Sequence, residues 1–222
     1  MKINRITFSI DRAGLSKDQL KLFNKRAAYF EELIFHHLPK NTEFGGYQFL
    51  RTRFDPGMEG ERINTFSRDI EVVRRFSSKE IYSTCSSSIE ECVLFLGKQL
   101  KLTLAAISKE LSIDVQVFEK AIEGAFSGFL GFEQELKVSK YHRSRRFKIC
   151  IVRVVAPDKE QIRCRVKNKS GETVDEFILA DNTTIYDASF DFRKSTWEEN
   201  TLVIFDRFND ISYSIDASKY LE

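Results

Sequence analysis

Residues 3–10 place Ile6, Phe8 and Ile10 at every second position, the period of a strand that buries one face. The period then lengthens. Leu20, Phe23, Ala27, Phe30, Ile34 and Leu38 recur every three or four residues, with Ser16 and Gln19 at capping-box spacing ahead of them and Pro39 behind. This predicts an amphipathic helix over 16–38 whose buried stripe is Phe23, Phe30 and Ile34, with Lys25 and Glu31 on the outer side. Segments 47–54 and 70–76 are rich in aromatic and β-branched residues, and Asp55-Pro56-Gly57 and Gly60 between them supply turn chemistry. They read as an antiparallel pair. Segment 79–85 reads as a further short strand.

Ser88 and Glu91 repeat the capping-box spacing, and Cys92, Val93, Leu96, Leu100, Leu104, Ile107 and Leu111 continue a helical face. A third helical stretch follows Asp114, with Val115, Phe118, Ala121 and Ile122. The glycine-rich segment 124–131 ends the helical period and marks a boundary. Beyond it, strands are expected at 132–138, 146–155, 161–167, 174–179, 184–192, 201–206 and 210–215. The expected fold is therefore α+β: a helix packed on an antiparallel sheet and a central helical hairpin within 1–125, then a β-rich part over 132–222.

At 222 residues, 42% hydrophobic and rich in Phe, the chain can bury a substantial core. With mean hydropathy −0.33 and no apolar run near the roughly 20 residues of a membrane span, neither a spanning helix nor a secretory leader is expected. Cys85, Cys92, Cys150 and Cys164 fit neither a redox pair nor a zinc knuckle. Scattered thiols of that kind read as small buried hydrophobes in a reducing cytoplasm, and no metal or cofactor is expected.

The net charge of +2 conceals an uneven distribution. Residues 1–135 carry 19 basic and 19 acidic side chains, 136–169 carry 12 and 2, and 170–222 carry 4 and 12. The local balances are 0, +10 and −8. Such opposed segments either pair across neighbouring strands or face charged partners.

Segment 103–122 resembles a helix-turn-helix, with 89–101 as a preceding support helix and Ser112 where the turn commonly holds Gly. Its outward Gln116, Glu119, Lys120 and Glu123, with Asp114, would set carboxylates against a polyanion, so a packing hairpin is the better reading. Lys140, Arg143, Arg145, Arg146 and Lys148, interleaved with Tyr141, His142 and Phe147, form a basic aromatic stripe of the type used on single-stranded nucleic acid. No metalloprotease, hydrolase, P-loop or dinucleotide motif occurs. Asp114 with Glu135 and Lys137 is a weak echo of a nuclease triad, and adjacent pairs such as Glu31 and Glu32 diverge on a helix and read as solvated faces. No catalytic residues are assigned.

The expectation is a non-enzymatic module that binds and masks a protein with a basic surface, as an immunity protein neutralises a toxin nuclease. The acidic, aromatic stretch around Asp187, Asp191, Trp197, Glu198 and Glu199 is its candidate contact. The alternative is a nucleic-acid-binding regulator using Lys140, Arg143, Arg145, Arg146 and Lys148.

Overall fold

The computed structural model describes residues 1–11, 14–183, 185 and 191–221. The chain is α+β and divides into two compact units, Met1–Gly131 and Phe132–Glu222.

In the first unit, β1 (Arg5–Ile10) leads into α1 (Lys17–His37). Ser16 caps α1 with both bonds of a capping box, Gln19 N to Ser16 Oγ at 3.2 Å and Ser16 N to Gln19 Oε1 at 2.8 Å. The chain returns as β2 (Phe49–Phe54), then β3 (Glu61–Phe66) and β4 (Asp69–Arg74), in sheet order β1-β2-β4-β3. Segments 47–54 and 70–76 are not the antiparallel pair their composition suggests: β2 runs parallel to both β1 and β4. The 21-residue α1 carries the chain back over the sheet before β2, and β3 reverses it before β4, so both pairs are formed by crossover. The polar, largely exposed β3 has no period-two apolar pattern, which hid it in the sequence.

Segment 79–85 is helix, not strand. It lies in α2 (Ser78–Ser87), where Ser77 accepts from Glu80 N at 3.1 Å and the buried Ile81 and Cys85 stand one turn apart. Next comes α3 (Ile89–Leu111), a single 23-residue helix that absorbs both the supposed support helix and the first half of the helix-turn-helix. Ser112 ends it in the left-handed region at φ 55°, and α4 (Gln116–Ser127) follows. Gln116, Glu119, Lys120 and Glu123 are exposed on α4, so its outer face remains predominantly acidic.

The core of this unit is aromatic. Phe8 meets Phe30 edge-to-face at 5.6 Å, and Phe54 contacts Phe8, Phe23, Phe76 and Phe95. Two glycines set helix approach: a Cβ on Gly97 would lie 2.2 Å from the Phe126 ring, and one on Gly124 would lie 2.6 Å from the His37 ring. Glu31 does not face solvent. Its carboxylate accepts the Ile6 amide at 3.2 Å and lies 3.6 Å from Arg5 Nε, with the side chain only 18% exposed.

The second unit holds all the remaining strands: β5 (Phe132–Glu135), β6 (Lys140–Tyr141), β7 (Phe147–Ala156), β8 (Lys159–Asn168), β9 (Thr173–Asn182), β10 (Lys194–Glu198), β11 (Thr201–Phe205) and β12 (Ile211–Asp216). The order β5-β7-β8-β9, with β6 also on β7, makes one antiparallel sheet, and β10-β11-β12 makes another. Their apolar faces share one core, in which Ile149, Ile151, Cys164 and Val166 from the first sheet meet Leu202, Ile204 and Ile215 from the second. The expected strand at 184–192 falls mostly outside the described residues, and the next described strand is β10. All four cysteines are free thiols buried within the protein.

Candidate functional site

Three ladders of charge occupy the meander. Arg165 donates to both oxygens of Glu133, at 2.5 and 2.7 Å, and to Glu176 at 2.6 Å; Arg163 adds a bond to Glu176 at 3.0 Å. The Arg165 guanidinium holds both carboxyls below the usual carboxylate range. Lys148 pairs with Glu135 at 2.6 Å and lies over the Tyr141 ring. Arg153 and Glu160 form a pair at 2.7 Å in which Glu160 is fully buried. Lys148, Arg153, Arg163 and Arg165 are thus neutralised by cross-strand carboxylates, the pairing alternative raised by the charge distribution, while other cations of the stretch are not so paired among the described residues.

The rest of the basic stripe is held by main chain. Lys140 Nζ donates to the Ser195 carbonyl, Arg143 to that of Trp197 at 2.9 Å and Arg146 to that of Leu221 at 2.7 Å. Arg145 is exposed at φ 54° in the tight turn between β6 and β7. Arg143, Arg145 and Arg146 have no carboxylate partner among the described residues.

Trp197, a member of the opposing acidic candidate in the sequence, sits against that same turn. Its indole N–H donates to the Tyr141 carbonyl at 2.8 Å, and its ring stands edge-to-face to His142, which stacks on Phe147. The ring is half-buried and built into the unit. Glu198 and Glu199 follow it at the β10–β11 turn, both exposed, with Glu199 at φ 51°. The acidic and basic candidates therefore converge on one end of the second sheet.

Asp191 does not join them. It precedes β10 at the opposite end of that strand, beside Tyr213, whose phenol is pushed up by burial and further by the Asp191 charge. Asp187 lies outside the described residues. Asp114 accepts from Gln116 N at 3.0 Å at the start of α4, in a different unit from Glu135.

No protein-family model, curated protein or solved structure matches the chain. The surface itself is the guide to function.

The end that holds Asp191 carries a feature the sequence reading did not single out. The β11–β12 loop is held by Asp206, whose carboxylate accepts the amides of Phe208 at 2.8 Å and Asp210 at 2.9 Å. Asp206 N also bonds the Asp210 carbonyl, and Asn209 adopts φ 70°. A loop so fixed projects Phe208 at 67% exposure and starts β12 with Ile211 at 61%. Arg207 lies 4.6 Å from the Phe208 ring centroid, and Arg193 donates to the Arg207 carbonyl at 2.9 Å. Asp191, Asp206 and Asp210 are matched in number by Arg193, Lys194 and Arg207. The signal in sequence was Asp206-x-Phe208, an Asx turn with an aromatic where a hairpin loop is ordinarily polar.

Among the described residues, no helix is long and apolar enough to cross a membrane and no cluster of metal-ligating side chains forms.

Proposed function

We propose that this chain is a non-enzymatic protein-binding module that masks a partner protein; in its most specific form, it is an immunity protein neutralising a toxin. The observation that carries the reading is the Phe208 loop. An aromatic ring two-thirds exposed on a loop whose backbone is already fixed loses little conformational entropy on docking, which is what an interface anchor requires. The partner surface it fits has an apolar pocket for Phe208 and Ile211, ringed by charges of both signs, cations to meet Asp191 and Asp210 and anions to meet Arg193 and Arg207.

The test is capture of a binding protein by the full chain, repeated with F208A and I211A. Retention should fall by about tenfold or more with F208A, while F66A, which removes a comparably exposed ring from the first unit, should change nothing. Equal retention by F208A and wild type would overturn the assignment.

The three arginines without carboxylate partners favour a second reading, nucleic-acid binding through the β6–β7 turn. It would replace the first if the chain bound single-stranded oligonucleotide at physiological salt and lost that binding on joint R143A, R145A and R146A substitution.

A further inference from the structure

We propose that β9 is a dimerisation edge, pairing antiparallel with β9 of a second copy of this chain about a twofold axis at Phe177. The inference is independent of the masking function. β9 is ten residues long and hydrogen-bonds only to β8; its other edge has no strand among the described residues. An edge of that length is ordinarily blunted by Lys, Pro or a covering element. Thr173–Asn182 contains no Lys, Arg or Pro. It instead exposes Val174 at 54%, Phe177 at 37% and Ile178 at 52%. The register places Phe177 opposite Cys164 and Ile178 opposite Arg163, so the two apolar residues project from opposite faces of the strand. Apolar surface on both sides of an unpaired backbone ladder suits an added strand better than it suits water.

The other edges are managed differently. In the sheet of the first unit, the edge strand β1 has an amide, Ile6 N–H, occupied by the Glu31 carboxylate. β5 and β6 are only four and two residues long. The remaining edge strands, β3, β10 and β12, are six, five and six residues long, so at ten residues β9 is the longest edge among the described strands.

Charge and register point to a second copy as the occupant. Asp175 is bound by Lys219 at 2.8 Å and by the Tyr220 hydroxyl, and Glu176 is bound by Arg163 and Arg165. With these carboxylates satisfied inside their own chain, the edge attracts no strongly basic strand and repels no second copy. Bulges at Val174 and Leu179 leave 175–178 as the regular stretch. In an antiparallel pair the opposed residues share a face, so Phe177 opposite its own mate sets Glu176 against Ile178 and Asp175 against Leu179, with no like charges directly facing. Such an isologous contact closes on itself as a dimer and joins the two meanders into one continuous sheet.

Sedimentation equilibrium of the full chain tests this. Wild type should run at twice its 25.9 kDa, and I178K should run as monomer with an unchanged circular dichroism spectrum. The register is tested by cysteine pairing in a C164S background, which removes the thiol opposite Phe177 in its own chain: F177C should form a disulfide-linked dimer under mild oxidation, because directly opposed strand residues lie within disulfide reach. I178C, which opposes Glu176 rather than itself, should link far less. F208A should leave the dimer intact, separating this edge from the masking loop. A wild-type chain that stays monomeric across the micromolar range, or a dimer unaffected by I178K and equally cross-linked at 177 and 178, would overturn the proposal.

Discussion

Replacing Glu31 by Gln should stabilise the first unit at neutral and alkaline pH and leave it unchanged in acid. The carboxyl is pushed up from the ordinary 4.5 to about 7, first by burial, against which the Arg5 charge and the Ile6 amide pull downward. Burial wins because Arg5 is 65% exposed and stands 3.6 Å away, a solvent-screened partner, while the carboxyl is mostly out of water. The sign follows from proton counting. Between the unfolded and folded values, the native state holds a proton that the unfolded chain has released, so stability falls as pH rises from about 4.5 to about 7 and stays low above. At about 1.4 kcal/mol per pH decade, the accumulated cost is about 3 kcal/mol. The substituted amide keeps an acceptor for the Ile6 N–H but has no charge to desolvate. In urea unfolding at pH 8, E31Q should therefore gain up to about 3 kcal/mol, or about 1–2 M in midpoint, and at pH 4 the two chains should coincide. Helical circular dichroism is the appropriate signal, since the four α-helices all belong to the first unit, whereas the single Trp197 reports on the second. A wild-type-to-variant difference that is constant from pH 4 to 8, or E31Q weaker at pH 8, would refute the reasoning.

Phe30→Ala, which removes a fully buried ring packed on Phe8, should cost about 3–5 kcal/mol by the same helical signal; a loss below about 1 kcal/mol would mean the cavity collapses without penalty. Arg153→Met leaves the fully buried Glu160 without this pair's cation and should destabilise the second unit by about 3–5 kcal/mol, read by Trp197 fluorescence, whereas Arg153→Met with Glu160→Gln should recover much of the loss. Gly97→Ala should destabilise the α3–α4 contact by about 1–3 kcal/mol, since its new methyl overlaps Phe126, and Phe126→Leu in the same chain should relieve part of it.

Elements with their own local signals were legible. The Ser16 capping box, the stripe Phe23, Phe30 and Ile34, the Pro39 stop and the period-two strands of the meander depend on residues near one another in the chain, and local periodicity dictates them. The acidic and aromatic composition of the last third draws attention to 187–199 and leaves the Phe208 loop unmarked. What failed were pairings. Tyr82 and its neighbours suggest a strand where the Ser77 cap and the Ile81–Cys85 spacing make a helix. Glu31 reads as solvated because its helical position faces away from the main stripe, yet the edge of β1 comes to meet it. Trp197 and the arginine turn read as rival sites and are neighbours.

The sequence by itself determined α1, α3 and α4, most of the strands, the α+β class and the buried stripe of α1, because each follows from periodicity within a few turns of chain. Only the tertiary structure decided strand direction, which charges are neutralised, and which side chains remain exposed. Those depend on long-range pairing: a crossover helix makes β1 and β2 parallel, Arg165 finds Glu133 thirty-two residues away, and β9 is left with one edge unpaired among the described residues.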